Sequence, residues 1–348
     1  MALENSNSNN ITIVDVAREA GVSFSTVSRV VNNYKHVKPD TRERVEAAMK
    51  KLGYVANLKA RSLAGGRSQV IGMLIYELET SYTVEIVRGV DAEISKSDYD
   101  LMLSTTHKRK RKESTYVTQL TQGMVDGLLF VLPRNLEAYT WDLDQKRFPY
   151  VLIDHPGMDN RESNTITVTN WQGAYDATQY LIELGHRRIG FITGFVEIAS
   201  AQERLAGYQT AIRDNGLFVD PELICKGDFL EESGYEAAQK FLNLEKPPTA
   251  IFASSDASAF GAMRAINEAG YHVPRDVSLI GFDDVPEASY MRPTLTTVRQ
   301  PLREMGQVAT HMLVERLDDP TIPPAQVELP TKLIIRDSCQ SPEDSKLL

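Results

Sequence analysis

The sequence predicts two unlike parts: a short all-α helix-turn-helix module near the N-terminus and an α/β body of two lobes, each built on a parallel sheet. Residues 11–33, ITIVDVAREAGVSFSTVSRVVNN, spell two short helices and a tight turn. Beyond Ser68, short apolar runs alternate with amphipathic stretches in the rhythm of βαβ units, and the rhythm restarts part-way along. Charge divides at the same place. From Ile11 to Arg67 eleven Lys and Arg stand against five Asp and Glu, a net of +6; the whole chain carries −9, so the rest holds −15. A basic head on an acidic body suits a protein that neutralises phosphates at one end only. The 348 residues predict two or three domains, and a 42% apolar fraction is enough for sizeable cores.

In the head, Thr12 is the expected N-cap of the first helix, its hydroxyl serving the free N–H groups, with Asp15 at the positive end of the dipole. Val16, Ala17 and Ala20 make a narrow apolar stripe, and Gly21 reads as a C-cap. Ser23 caps the next helix, which carries Val27, Val30 and Val31 on one face and Phe24, Ser25, Ser28 and Arg29 on the other. That polar face and its first turn can enter a DNA groove. Arg29 suits a guanine edge and Phe24 a thymine methyl, with Ser25 beside them as a third base reader; Thr12, Ser23, Thr26, Ser28 and Asn32 suit phosphates. A third helix is expected over 38–52, with Asp40 near its start and Val45, Ala48, Met49 and Leu52 buried.

The body offers buried strands at 70–76, 99–105, 126–132 and 150–154, then a second set at 164–169, 187–193, 249–254 and 277–282. Two facing lobes make a cleft beyond the carboxyl ends of the strands. Glu77, Tyr82, Asp154, Ser200, Arg204, Phe229, Asp256 and Asp283 fall at those ends. A sugar needs planar charged groups for adjacent hydroxyls and an aromatic face for its C–H surface, which Arg204, Asp283 and Phe229 can supply. Asp256 also reads as a helix N-cap. His155 reads as a turn residue, the basic run 107–112 as a solvated cluster opening a helix, and Trp141 and Trp171 as packing residues.

No apolar run reaches 18 residues, which excludes a membrane-spanning helix. The first ten residues, MALENSNSNN, lack the basic start and apolar centre of a signal peptide and read as a polar tail. Cys225 and Cys339 are far apart and without metal spacing, which suits a reducing cytoplasm. Neither GxGxxG nor a P-loop follows a strand, and no nucleophile has a base beside it. The expectation is a cytoplasmic protein with no catalytic site, no metal and no cofactor.

The run DVAREAGVSFSTVSRVVNN resembles the signature of the lactose-repressor (LacI/GalR) family of bacterial transcriptional regulators. The resemblance implies a head over 11–56, a hinge helix over 57–67 that lies in the minor groove, a periplasmic-binding-protein-like body over 68–340 and a tail over 341–348. In the hinge, Asn57 and Ala60 contact DNA and Leu63 matches the wedge that kinks the duplex. The family usually has Pro where this chain has Ala56. The resemblance also implies three crossovers between lobes, the first lobe spanning about 68–163 and 300–322 and the second about 164–299 and 323–340. Arg204 and Asp283 sit where the family holds its effector. The expected partners are a palindromic operator, read by a homodimer, and a small effector. A tetramer stays open, although the tail SPEDSKLL shows no heptads. A sugar inducer and a nucleoside or purine corepressor both fit the effector. A sugar-binding transport receptor would share the body but would need an export signal and no basic head.

Overall fold

The computed structural model describes residues 11–31, 34, 36–54, 67–157 and 163–342. Asn32, Asn57, Ala60 and Leu63, and with them the expected hinge helix, lie outside the described residues.

Three helices form the head: α1 (Ile13–Ala20), α2 (Phe24–Val31) and α3 (Pro39–Leu52). Thr12 is the N-cap of α1 and forms a capping box with Asp15, whose carboxylate accepts both the Thr12 N–H (3.0 Å) and the Thr12 hydroxyl (2.7 Å). Gly21 closes α1 at φ 61°, a left-handed conformation cheap only without a Cβ. Arg44 of α3 donates to the carbonyls of Ala20 (2.6 Å) and Gly21 (3.2 Å), so the third helix holds the turn of the first two. Val16, Ala20, Val27, Val30, Val45 and Ala48 close the small core.

The body holds two six-stranded sheets. The first contains β1 (Val70–Ile75), β2 (Asp100–Thr105), β3 (Gly127–Val131), β4 (Tyr150–Ile153), β5 (Asn164–Val168) and β11 (Gln326–Leu329), in the order β11-β5-β4-β3-β1-β2. The second contains β6 (Ile189–Ile192), β7 (Ile224–Cys225), β8 (Ala250–Ala253), β9 (Ser278–Asp283), β10 (Thr296–Arg299) and β12 (Lys332–Ile334), in the order β12-β10-β9-β8-β6-β7. All pairs run parallel except β10 with β12. Helices cover the faces: α4 (Ser81–Ile94), α5 (Glu113–Leu120), α6 (Thr140–Gln145) and α11 (Leu302–Asp318) on the first lobe, and α7 (Asn170–Glu183), α8 (Ala199–Asp214), α9 (Glu231–Leu242) and α10 (Asp256–Glu268) on the second. Because both faces are covered, the central strands are wholly buried, as continuous apolar runs require.

The lobes divide at different residues than expected. The run at 164–168 pairs with β4 and β11, so it belongs to the first sheet rather than opening the second. The segment at about 323–340, expected wholly in the second lobe, is split: β11 joins the first sheet and, after Pro330 and Thr331, β12 joins the second. The crossings therefore fall at Thr169, at Gln300–Pro301 and at Pro330–Thr331. Two of them are stapled together, since Thr331 N–H donates to Thr169 Oγ1 (2.9 Å) and Thr331 Oγ1 donates to the Thr169 carbonyl (3.1 Å). Trp141 and Trp171 are not core residues; they are 60% and 40% exposed, Trp171 stacking on Tyr175 at 5.2 Å.

Candidate DNA interface and ligand cleft

The first turn of α2 gathers hydroxyls. Ser23 Oγ lies 2.8 Å from both Ser25 Oγ and Thr26 Oγ1 and accepts the Thr26 N–H at 3.2 Å, which secures the cap expected of it. Phe24, Ser25 and Arg29 are exposed on the same helix whose Val27 and Val30 are buried. Arg29 has no side-chain partner among the described residues. An exposed aromatic ring, a hydroxyl and an uncommitted guanidinium on one helical face can meet base edges, while the capped first turn offers N–H groups to a phosphate. Thr12 is exposed but its hydroxyl is engaged by Asp15.

Between the lobes lies a cavity of about 520 Å³, lined from the carboxyl ends of both sheets. Its inner end is a polar cluster. Tyr82, near the start of α4, donates its hydroxyl to Asp154 Oδ2 at 2.9 Å, immediately after β4. From the other lobe Arg204 on α8 donates Nε to Asn170 Oδ1 (2.9 Å) and Nη1 to the Ser254 carbonyl (2.7 Å). Its Nη1 stands 4.0 Å from Asp283 Oδ1, and its guanidinium stacks 3.8 Å from the Phe282 ring and 5.5 Å from the Phe229 ring. Arg204 is thus held rigidly by partners that leave Nη2 unclaimed among the described residues. Asp283, ending β9, accepts Gln300 Nε2 at 2.7 Å from the crossover that follows β10.

Burial is the main reason the Asp283 carboxyl titrates well above its ordinary range; the negative charge of Asp256 adds to it and the cation of Arg204 opposes it. The phenol of Tyr82 is raised for the same first reason, then by Asp154. Ionising these buried groups is costly, so a ligand that supplies hydrogen bonds gains from groups already desolvated. Backbone strain collects here too: Leu132, Asp154, Phe229 and Asp283, all lining the cavity, have φ of 47°, 57°, 68° and 133°. Non-glycine residues in such conformations cost on the order of 1–3 kcal/mol each and persist where the surrounding structure over-determines them.

Of the eight residues expected at the strand ends, Glu77, Tyr82, Asp154, Arg204, Phe229 and Asp283 line the cavity. Ser200 and Asp256 do not. Ser200 is buried and donates to Asp154 Oδ2 at 3.5 Å. Asp256 is fully buried and spends both oxygens on the protein, accepting the Thr297 hydroxyl (2.5 Å) and the Val285 N–H (2.9 Å). Its carboxylate braces the segments behind the cleft, and Ser255 rather than Asp256 caps α10, accepting the Ser258 N–H. Glu77 lines the cavity while accepting the Thr80 hydroxyl at 3.1 Å. His155 behaves as a turn residue, accepting the Gly157 N–H at 3.1 Å.

Residues 12–57 match the model of bacterial regulatory proteins of the lacI family, and residues 178–339 match a periplasmic-binding-protein-like domain. Catabolite control protein A of Priestia megaterium is 34% identical over 94% of this chain and 99% of its own length. The HTH-type transcriptional repressor PurR of Escherichia coli is 38% identical over 94% and 96%.

The chain belongs to the lacI family.

Among solved structures, the Lac repressor dimer bound to operator and an anti-inducer matches with a TM-score of 0.79 at 31% identity, over 95% of this chain and 100% of that one. The transcriptional regulator CelR in complex with cellobiose matches with a TM-score of 0.72 at 33% identity, over 94% and 99%. The relatives of this lacI-family chain are transcriptional regulators, not enzymes. The chain is accordingly a DNA-binding transcriptional repressor under the control of a small effector. No helix among the described residues is long and apolar enough to cross a membrane.

The cleft of this lacI-family regulator also takes in residues of which no such role was expected. Tyr76, Arg134 and Phe195 follow β1, β3 and β6 within three residues, and Lys108, expected in a solvated cluster, follows β2 and lines the cavity paired with Glu79. The signal that singled out Asp154, a polar or aromatic group just past a parallel strand, applies equally to them. Glu287 had no such signal, because it enters from a short 3₁₀ turn past β9.

Proposed function

We propose that this regulator holds a palindromic operator as a cytoplasmic homodimer and alters its grip when a sugar fills the interlobe cleft. The carrying observation is the convergence of Tyr82 and Asp154 from one lobe with Arg204, Asp283 and Phe229 from the other. Adjacent sugar hydroxyls both donate and accept, so one ring can satisfy Asp283 and Arg204 together while its C–H face covers Phe229. Ligand contacts from both lobes favour closure, and closure moves the first lobes of the dimer, to which the two heads are joined. Ser25, Phe24 and Arg29 read bases; Thr12, Ser23, Thr26, Ser28 and Asn32 position the head on phosphates; Asn57, Ala60 and Leu63 act at the centre of the site. The cellobiose-bound CelR and a ribose-bound lacI-family regulator of Enterococcus faecium support the sugar reading. A nucleobase could stack on the same aromatic face, but it presents fewer adjacent hydroxyls to Asp154 and Asp283.

A thermal-shift panel of sugars, nucleosides and nucleobases identifies the class, since a ligand at 100 times its Kd adds about 2.7 kcal/mol to stability. In Asp283→Ala the ligand response should vanish with operator affinity retained. A variant that still responds normally would displace the site from this cleft.

A further inference from the structure

Outside the inner cluster, the cavity contains two half-buried charged side chains, one from each lobe, that each keep a polar atom shielded from water and without a partner. Arg134, after β3, lies with its guanidinium 3.9 Å from the Phe195 ring and 5.1 Å from the Tyr76 ring. Among the described residues its Nη1 has no acceptor. Glu287, in the second lobe, accepts the Ser81 hydroxyl of the first lobe at 2.7 Å through Oε1 and stands beside the exposed Tyr290 hydroxyl, while its Oε2 has no hydrogen-bond partner of good geometry among the described residues. A buried polar atom left unpaired loses its hydration without compensation, more so when charged, so two of them in one cavity mark positions completed by something else. Neither residue takes part in the hydrogen bonds of the inner cluster, which one sugar ring would occupy.

We propose that Arg134 and Glu287 form an outer subsite for the second ring of a neutral two-ring glycoside. The proposal rests on the sugar reading of the cleft and extends it. One orphan is a donor and the other an acceptor, and hydroxyls answer both, whereas an anion would answer only Arg134. The lining carries eight carboxyl groups, of which burial holds Asp283 toward its neutral form, against four cationic side chains, an electrostatic setting unfavourable to phosphates. The volume, about 520 Å³, falls in the range of about 300–1,000 Å³ typical of pockets for molecules larger than a single hexose. Tyr76, Phe195 and Phe229 supply aromatic surface beside Arg134, the faces of Phe195 and Tyr76 being shared with its guanidinium. Each orphan also sits on an interlobe contact, Arg134 on Phe195 and Glu287 on Ser81, so an outer ring adds to closure.

The test is calorimetric titration of the full-length protein with glucose, galactose and ribose, with cellobiose, maltose and lactose, and with glucose 6-phosphate. A disaccharide should bind at least about tenfold tighter than its monosaccharides, and glucose 6-phosphate should not bind. Arg134→Ala and Glu287→Gln, the latter keeping an acceptor for Ser81, should each weaken the disaccharide about tenfold or more and leave weak monosaccharide binding unchanged. Their unliganded melting temperatures report whether the fold is intact. Equal affinity for one ring and two, binding of the phosphate, or unaltered disaccharide affinity in both variants overturns the outer subsite alone. Should no sugar of either size bind, the sugar reading and the subsite fall together.

Discussion

At the scale of single residues, Asp256 shows how a site residue and a structural one can share the same position in a motif. In the run SSDASAF an Asp before a helix reads first as a cap and second as a ligand group, and it is neither. Burial pushes its carboxyl from the ordinary 3.8 up to about 7, with Asp284 adding to the rise and the Thr297 hydroxyl, the Val285 N–H and Arg336 opposing it. A folded pKa above the unfolded value means that the folded chain holds a proton the unfolded chain has lost. The stabilisation is therefore complete below about pH 4 and disappears as pH rises through about 7. One proton sets a limiting slope of about 1.4 kcal/mol per pH unit. Denaturant titrations between pH 5 and 8 should show wild-type stability falling toward neutrality, and Asp256→Asn should flatten that fall. Because Asp256 is also the second-largest cause raising Asp283, the same variant should lower the Asp283 pKa. Parallel stability curves for the two proteins would show that Asp256 is ionised throughout. Such behaviour is not legible in the sequence, because burial of the carboxylate depends on β10 and Val285 closing over it from afar.

At the scale of elements, most strands and helices were readable because a parallel strand buried on both faces is written as an unbroken apolar run. Sheet membership failed at one run. The run at 164–168 resembles those of the second lobe in every local respect, and only its pairing with β4 and β11 separates it. β10, reading TTVR, lacks an apolar run, and β7, Ile224–Cys225, is too short to show one. Long-range packing shows the same limit in the helices. Where α4 crosses α11, a Cβ on Gly306 would stand 2.3 Å from the Ile86 carbonyl and one on Gly89 2.0 Å from the Arg303 carbonyl. The backbones meet directly, and α11 carries the chain back to the first lobe just past a crossover. Gly306→Ala should destabilise the body by about 1–3 kcal/mol, the usual cost of overpacking, read as a lower urea midpoint. An unchanged midpoint would mean that the two helices can separate freely.

At the scale of the whole molecule, the two ends communicate through few covalent links: the chain at Arg67, and the crossings at Thr169, Gln300–Pro301 and Pro330–Thr331. Arg67 is anchored to the first lobe, donating to Asp318 (3.0 Å) and Tyr99 (3.1 Å). A change in the angle of that lobe is therefore delivered to the residues just before Arg67, where Leu63 stands in the sequence. Two kinds of DNA interaction should separate there. The head and hinge carry the net +6 and supply a salt-dependent attraction to any duplex, whereas a wedge acts only where the duplex can kink. Leu63→Ala removes apolar surface and no charge. It should weaken operator binding, leave binding to random duplex and its salt slope unchanged, and leave the effector's Kd for the free protein intact. Fluorescence anisotropy at several salt concentrations, on operator and scrambled DNA, distinguishes these terms. Equal loss on both duplexes would assign Leu63 to the general grip on DNA, and no loss on either would remove it from the interface.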